Sequence, residues 1–174
     1  MGDSLITIIA IFLAAILMFV FPLMSISERN DDIAQLGVQT ATIEFVDNVS
    51  TLGKITEDNY NSFMQSLAAT GNSYDVEMEV KVLDENPGKK TTWAVSDKIG
   101  ENIYYSVYTS QIEDVLGSNG KYVLKEGDIV SVSVKNTNTT ISQTLRSVFY
   151  SISSNNAYQV GAQHSGIVTA TGNK

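Results

Sequence analysis

Between Leu5 and Met24 the chain reads LITIIAIFLAAILMFVFPLM, twenty residues whose only polar member is Thr7. In a helix rising about 1.5 Å per residue, such a run spans roughly 30 Å, the thickness of a bilayer's hydrocarbon core. The pattern predicts a membrane-embedded helix. Met1-Gly2-Asp3-Ser4 precede it without Lys or Arg, and no Ala-x-Ala pattern follows Pro22-Leu23-Met24. A cleaved secretory signal carries both features, so the helix is expected to be retained. Pro22 has no amide hydrogen to donate, and is expected to kink or end the helix as a hinge at the membrane surface.

Beyond Met24 the pattern becomes amphipathic. Residues 25–53 read as a second helix continuing the first, with Ser27 as its cap and Asp31 and Asp32 near its positive end. At 100° per residue two apolar stripes emerge. Val38, Ala41, Phe45, Val49 and Leu52 form one; Ile33, Leu36, Thr40 and Ile43 form the other, on roughly the opposite side. A helix with two such stripes has two partners: its own domain and, for the second stripe, either that domain again or a neighbouring chain.

Gly53 is expected to stop this helix. Thr56, followed by Glu57 and Asp58, predicts the N-cap of a short helix carrying Tyr60, Phe63, Met64 and Leu67 at i, i+3, i+4 and i+7, ended by Gly71-Asn72. Tyr74 to Leu83 alternates cleanly, with Tyr74, Val76, Met78, Val80 and Val82 against Asp75, Glu77, Glu79 and Lys81, a half-buried strand. Asn86-Pro87-Gly88 predicts a turn, and Thr91 to Val95 a returning strand. Asn102 to Thr109 reads as another strand. Ser110 is expected to cap a helix through Gln111, Ile112, Val115 and Leu116, stopped by Gly117, with a turn at Asn119-Gly120. Tyr122 to Leu124 leads into a strand from Ile129 to Lys135, with Val130, Val132 and Val134 inward. The loop 136–139 is expected to cap a helix bearing Ile141, Leu145, Val148, Phe149 and Ile152. After a loop at Ser153–Asn156, the positions Tyr158, Val160, Ala162 and then Ile167-Val168 mark a last strand. The expected fold is α+β: a transmembrane helix (1–24), an amphipathic extension (25–53), and a water-facing domain (54–174) with a small, mostly antiparallel sheet and short helices on one side.

Charge and chemistry narrow the function classes. The chain carries 19 acidic and 11 basic residues. Setting aside Asp3 and Glu28 leaves 17 acids against the same 11 bases, a net charge of −6 beyond residue 28. That balance argues against nucleic acid, whose phosphates demand Lys/Arg clusters, and against docking on anionic lipid. There is no cysteine, so disulfides, thiolate metal sites and a Cys nucleophile are excluded. His164 is the only histidine and is expected at a packed or rim position. Asp84, Glu85 and Asn86 offer oxygens to Ca²⁺ without the spacing of a cation loop, and read as an acidic turn. Gly-x-Ser-x-Gly, His-Glu-x-x-His, Walker and Gly-x-Gly-x-x-Gly motifs are all missing. No catalytic residue, cofactor, metal or small-molecule substrate is expected. Asn48-Val49-Ser50 and Asn138-Thr139-Thr140 fit the glycosylation sequon, the first inside a helix and the second in an exposed loop. The flanking charges Glu28, Arg29, Asp31 and Asp32 include one Arg, too little to set topology by the positive-inside rule.

The order of apolar run (Leu5–Met24), continuing amphipathic helix (Ile33–Leu52) and small α+β domain resembles the plan of type IV pilins and pseudopilins. More narrowly, it is similar to minor pilin-like components of tight-adherence (Flp-type) systems. The stretch from Gly53-Lys54-Ile55-Thr56 through Tyr74-Asp75-Val76-Glu77 also looks like membrane-anchored proteins of Gram-positive bacteria associated with such systems. The resemblance implies a structural subunit whose apolar half-helix anchors it in the membrane and then packs in a filament core. Its domain would face outside, and its partners would be the membrane and further copies or other pilin-like subunits. The implied assembly helix comprises Leu5, Ile9, Ala10, Leu13, Ala14, Ala15, Leu17 and Pro22, with Ile33, Leu36, Thr40 and Ile43 as a second interaction stripe. Two positions differ from the family pattern: Gly2 has no basic residue before it, and the fifth residue after it is Thr7 where pilins carry Glu. The other architecture consistent with the plan is a membrane-anchored scaffold of a secretion or conjugation machine.

Overall fold

The computed structural model describes residues 2–83, 104–149 and 160–172. Its first element, α1 (Gly2–Leu52), is one helix of 51 residues that passes through Pro22. The helix does not end at Pro22, and residues 25–52 continue the apolar run within the same element. A proline costs one backbone hydrogen bond, and the turns on either side hold the remaining ones. Ser27 is accordingly no cap: it lies mid-helix and buried.

Beyond Gly53 come β1 (Lys54–Thr56), α2 (Glu57–Ala68), β2 (Tyr74–Leu83), β3 (Tyr104–Tyr108), α3 (Thr109–Asn119), β4 (Lys121–Val123), β5 (Ile129–Asn136), α4 (Ile141–Phe149) and β6 (Gly161–Ile167). A four-stranded sheet runs in the order β3-β2-β5-β6, antiparallel throughout, and β1 pairs with β4 in a separate two-stranded ribbon. The fold is thus α+β, with a long N-terminal apolar helix and a small antiparallel sheet.

Alternation in the sequence sets the sheet register. Met78 lies opposite Val132 and Val80 opposite Val130, so apolar positions meet on one face. That face packs on Val38, Phe45, Val46 and Val49 of α1, Phe63 and Leu67 of α2, and Ile112 and Leu116 of α3. Phe45 and Phe63 stack with centroids 4.4 Å apart. The other face is polar. Ser106 donates to Glu79, Ser165 to Ser131, and Lys135 pairs with Glu77.

Thr56 caps α2 as expected, its Oγ1 accepting from Asn59 N while Asn59 Oδ1 accepts from Thr56 N. The helix ends at Ala68, and Gly71 takes the left-handed conformation at φ 81°. Elsewhere the punctuation differs from expectation. Tyr108, not Ser110, precedes α3; Gly117 lies inside it, and the stop is Gly120 at φ 69°. One glycine in an exposed helix costs about 1 kcal/mol, too little to end it ahead of a residue that forms a left-handed C-cap. Thr140, just past the expected loop, caps α4 through reciprocal bonds with Gln143. The ribbon strand β1 is absent from the sequence reading, because three residues between a helix stop and a helix cap show no period. Leu52 and Ile141, both assigned to buried stripes, are 49% and 69% exposed.

The expected features at Asp84–Gly88, Thr91–Val95 and Ile152–Tyr158 lie outside the described residues.

Candidate functional site

The surface of α1 is where chemistry and geometry depart furthest from an ordinary domain. Ile6, Ile11, Phe12, Met18 and Phe19 are each at least 64% exposed. Apolar side chains cover this half of the helix on all sides, and none of them is buried among the described residues. A water-soluble chain does not present a continuous apolar cylinder to solvent. The segment is long and apolar enough to cross a membrane, and it is compatible with a single-pass membrane protein. Leu5, Ile9 and Leu13 are exposed, Leu17 is half-buried and Pro22 exposed. Ala10 and Ala14 lie one turn apart on the same ridge, and Ala15 flanks it, so small side chains line that ridge.

In the second half the helix is divided. Ala34, Val38, Thr42, Phe45, Val46 and Val49 are buried in the domain. Ile33, Leu36 and Ile43 are 60%, 65% and 42% exposed, with Thr40 exposed beside them. The second stripe thus has no partner within its own domain among the described residues. Arg29 lies on the same side of the helix, exposed, and is the only Lys or Arg of α1.

Three polar anchors hold the domain on the opposite side. Asp31, 7% exposed, accepts from Thr140 Oγ1 at 2.8 Å and from Ser142 Oγ. Arg146 donates to Glu28 Oε1 through Nε at 3.1 Å and Nη2 at 2.8 Å. Gln35 pairs with Gly161 as a peptide group would, donating to its carbonyl at 2.6 Å and accepting from its N–H at 2.9 Å. His164 Nε2 lies 3.5 Å from Asp47 Oδ1, a rim position. The order of these contacts gives a direction. From Ser142 to Arg146 the partner on α1 moves from Asp31 back to Glu28, so α4 descends along α1 towards the apolar segment.

No family model, curated protein or solved structure matches this chain.

The remaining polar features are structural. Asp128 is 2% exposed, and its two oxygens accept from Leu83 N and Lys125 N, which closes the turn before β5. Tyr60 donates to Glu113 Oε1 at 2.7 Å. Burial first, then that hydrogen bond and the carboxylate's charge, push its phenol well above the usual range. Burial, then Tyr105 and Asp128, push Tyr122 up as well. Asn138, expected free in an exposed loop, is half-buried. Its Nδ2 donates to Asn72 and its Oδ1 accepts from Ser73 N, so a glycan on Nδ2 would compete with the bond to Asn72. Among the described residues no three His, Cys, Asp or Glu side chains are grouped to hold a metal ion.

Asp31 and Gln35 escape sequence reasoning as anchors. With Pro22 as a boundary, Asp31 reads as a helix-start charge. A buried Asp four residues from a half-buried Gln35 carries no periodic signal, and only the positions of Thr140 and Gly161 in space reveal the pairing.

Proposed function

We propose that this chain is a pilin-like structural subunit that assembles through α1 and performs no catalysis. The reading rests on one feature of that helix. Its first half exposes apolar side chains on every side, and its second half keeps an exposed apolar stripe opposite the face it gives to its own domain. Such a helix has a place for a membrane and a place for a neighbour. In the membrane the first half is solvated by lipid. Once subunits leave it, the same surface is buried only against other copies or related subunits, which makes filament formation the way to keep it from water. On this reading the domain faces outside and supports the shaft without forming a site for a substrate.

Small residues let helices approach closely where packing rather than water exclusion drives association. Ala14→Leu therefore inserts normally and impairs assembly, whereas Ile11→Leu inserts normally and leaves assembly unchanged. Filament yield from cells expressing each variant at equal membrane levels is the readout. Equal assembly by the two variants would make the helix an anchor only and favour a membrane-bound scaffold.

A further inference from the structure

Next to the exposed stripe, α1 and α2 enclose an open groove of about 400 Å³. Its floor is the Phe45–Phe63 stack, Leu52 lines one end, and Glu44 and Asp58 stand exposed at its rim. No Lys or Arg lines it. Beneath its wall, Asn59 Nδ2 is a buried donor without a hydrogen-bond partner.

We infer that this groove receives a second copy of the chain, through the face of α1 that carries Arg29, Ile33 and Leu36. The inference rests on the pilin-like reading and specifies its contact. Charge complementarity selects the occupant: α1 has one cation, Arg29, exposed and unpaired among the described residues, and the groove has an acidic rim. An amphipathic helix laid in a groove is a recurrent mode of recognition, and this groove sets polar walls at Asn48, Ser62 and Ser66 around its Phe45–Phe63 floor. Pairing stripe to stripe between parallel copies at equal depth would place Arg29 against Arg29, a like-charge contact.

Two geometric consequences follow. The stripe and the groove are different patches, so each docked copy leaves its own groove free for the next. A contact of that kind does not close, and builds an open filament. The α1 side of the groove is also centred about 13 residues further along the helix than the face of Arg29, Ile33 and Leu36, an offset of roughly 20 Å. A bilayer core is about 30 Å thick. Two copies seated at equal depth in a flat membrane cannot make this contact, and it forms when one has been drawn outward. The interface therefore separates the stored subunit from the assembled one.

The chain contains no cysteine, so introduced thiols report only themselves. Full-length protein carrying both Leu36→Cys and Leu52→Cys, exposed to a mild oxidant under assembling conditions, should give a ladder of disulfide-linked multimers. Each single variant should give none beyond trace dimer. Arg29→Glu should abolish the ladder, and adding Glu44→Lys with Asp58→Lys should restore it. If assembly proceeds but the ladder is missing, or if Leu36→Cys alone yields dimers, or if Leu52→Cys cross-links only to a different protein, the groove contact is wrong and the pilin-like reading stands. If the full-length chain forms no assembly at all, both fall.

Discussion

At Gly53 the chain leaves α1 with φ 66°, in the left-handed region, while a Cβ there would collide with the backbone at Ala170 and Gly172. Gly53→Ala combines backbone strain with overpacking and should cost about 2 kcal/mol or more. Gly117 is the matched control: it sits inside α3, exposed, with open space where a Cβ would go. Gly117→Ala should stabilise by about 0.5–1 kcal/mol. Urea unfolding of a fragment beginning at Ser25 measures both, and equal effects would contradict the assignment. The phenol of Tyr60 supplies a pH prediction. Its folded-state value is raised, so the folded protein favours the neutral form. The resulting stability is complete below the unfolded value of about 10 and is lost as pH rises through the folded one. Tyr60→Phe should flatten the alkaline fall of the urea midpoint, and an unchanged slope would show that burial of this phenol beside Glu113 is not its cause. Among single residues, Gly53 and Thr56 were legible as stop and cap because both roles are local. Asp31 was not, because its partners Thr140 and Ser142 lie more than a hundred residues away.

At the scale of elements, the two faces of α1 make opposite predictions. Phe45→Ala removes a stacked ring from the core and should cost about 3–5 kcal/mol in the same fragment. Leu36→Ser removes an exposed side chain, and should change fragment stability by less than about 0.5 kcal/mol while reducing assembly of the full-length chain. If Leu36→Ser unfolds the fragment, the stripe belongs to the core after all. The strands with strict alternation, β2 and β5, were readable almost to the residue, since a period of two with one buried face admits a single register. The single helix through Pro22 was not, because proline's effect depends on whether the turns around it hold. The ribbon of β1 and β4 was half hidden for a related reason: Ile55 is fully buried, yet three residues are too few to show a period. Among candidate site residues, the stripe of Ile33, Leu36, Thr40 and Ile43 was visible as a pattern, but its exposure required knowing which of two stripes the sheet had taken.

For the whole molecule, the α1 anchors, the sheet and the helices of the domain all lie beyond residue 24, and the apolar run contributes nothing to their core. A fragment from Ser25 should therefore be soluble and folded, as a cooperative urea transition would show, and any self-association seen by analytical ultracentrifugation should be lost with Arg29→Glu. Protease added to intact spheroplasts should degrade the domain, with Lys121 among the accessible sites; protection until lysis would place the domain in the cytoplasm and remove the pilin-like reading. Whether α1 is an assembly element is tested most directly by an electron micrograph of the full-length protein released from its native membrane. Filaments are expected, and Ala14→Leu should abolish them. Dispersed single particles under every condition, from a protein whose domain remains folded, would contradict an assembly role for α1.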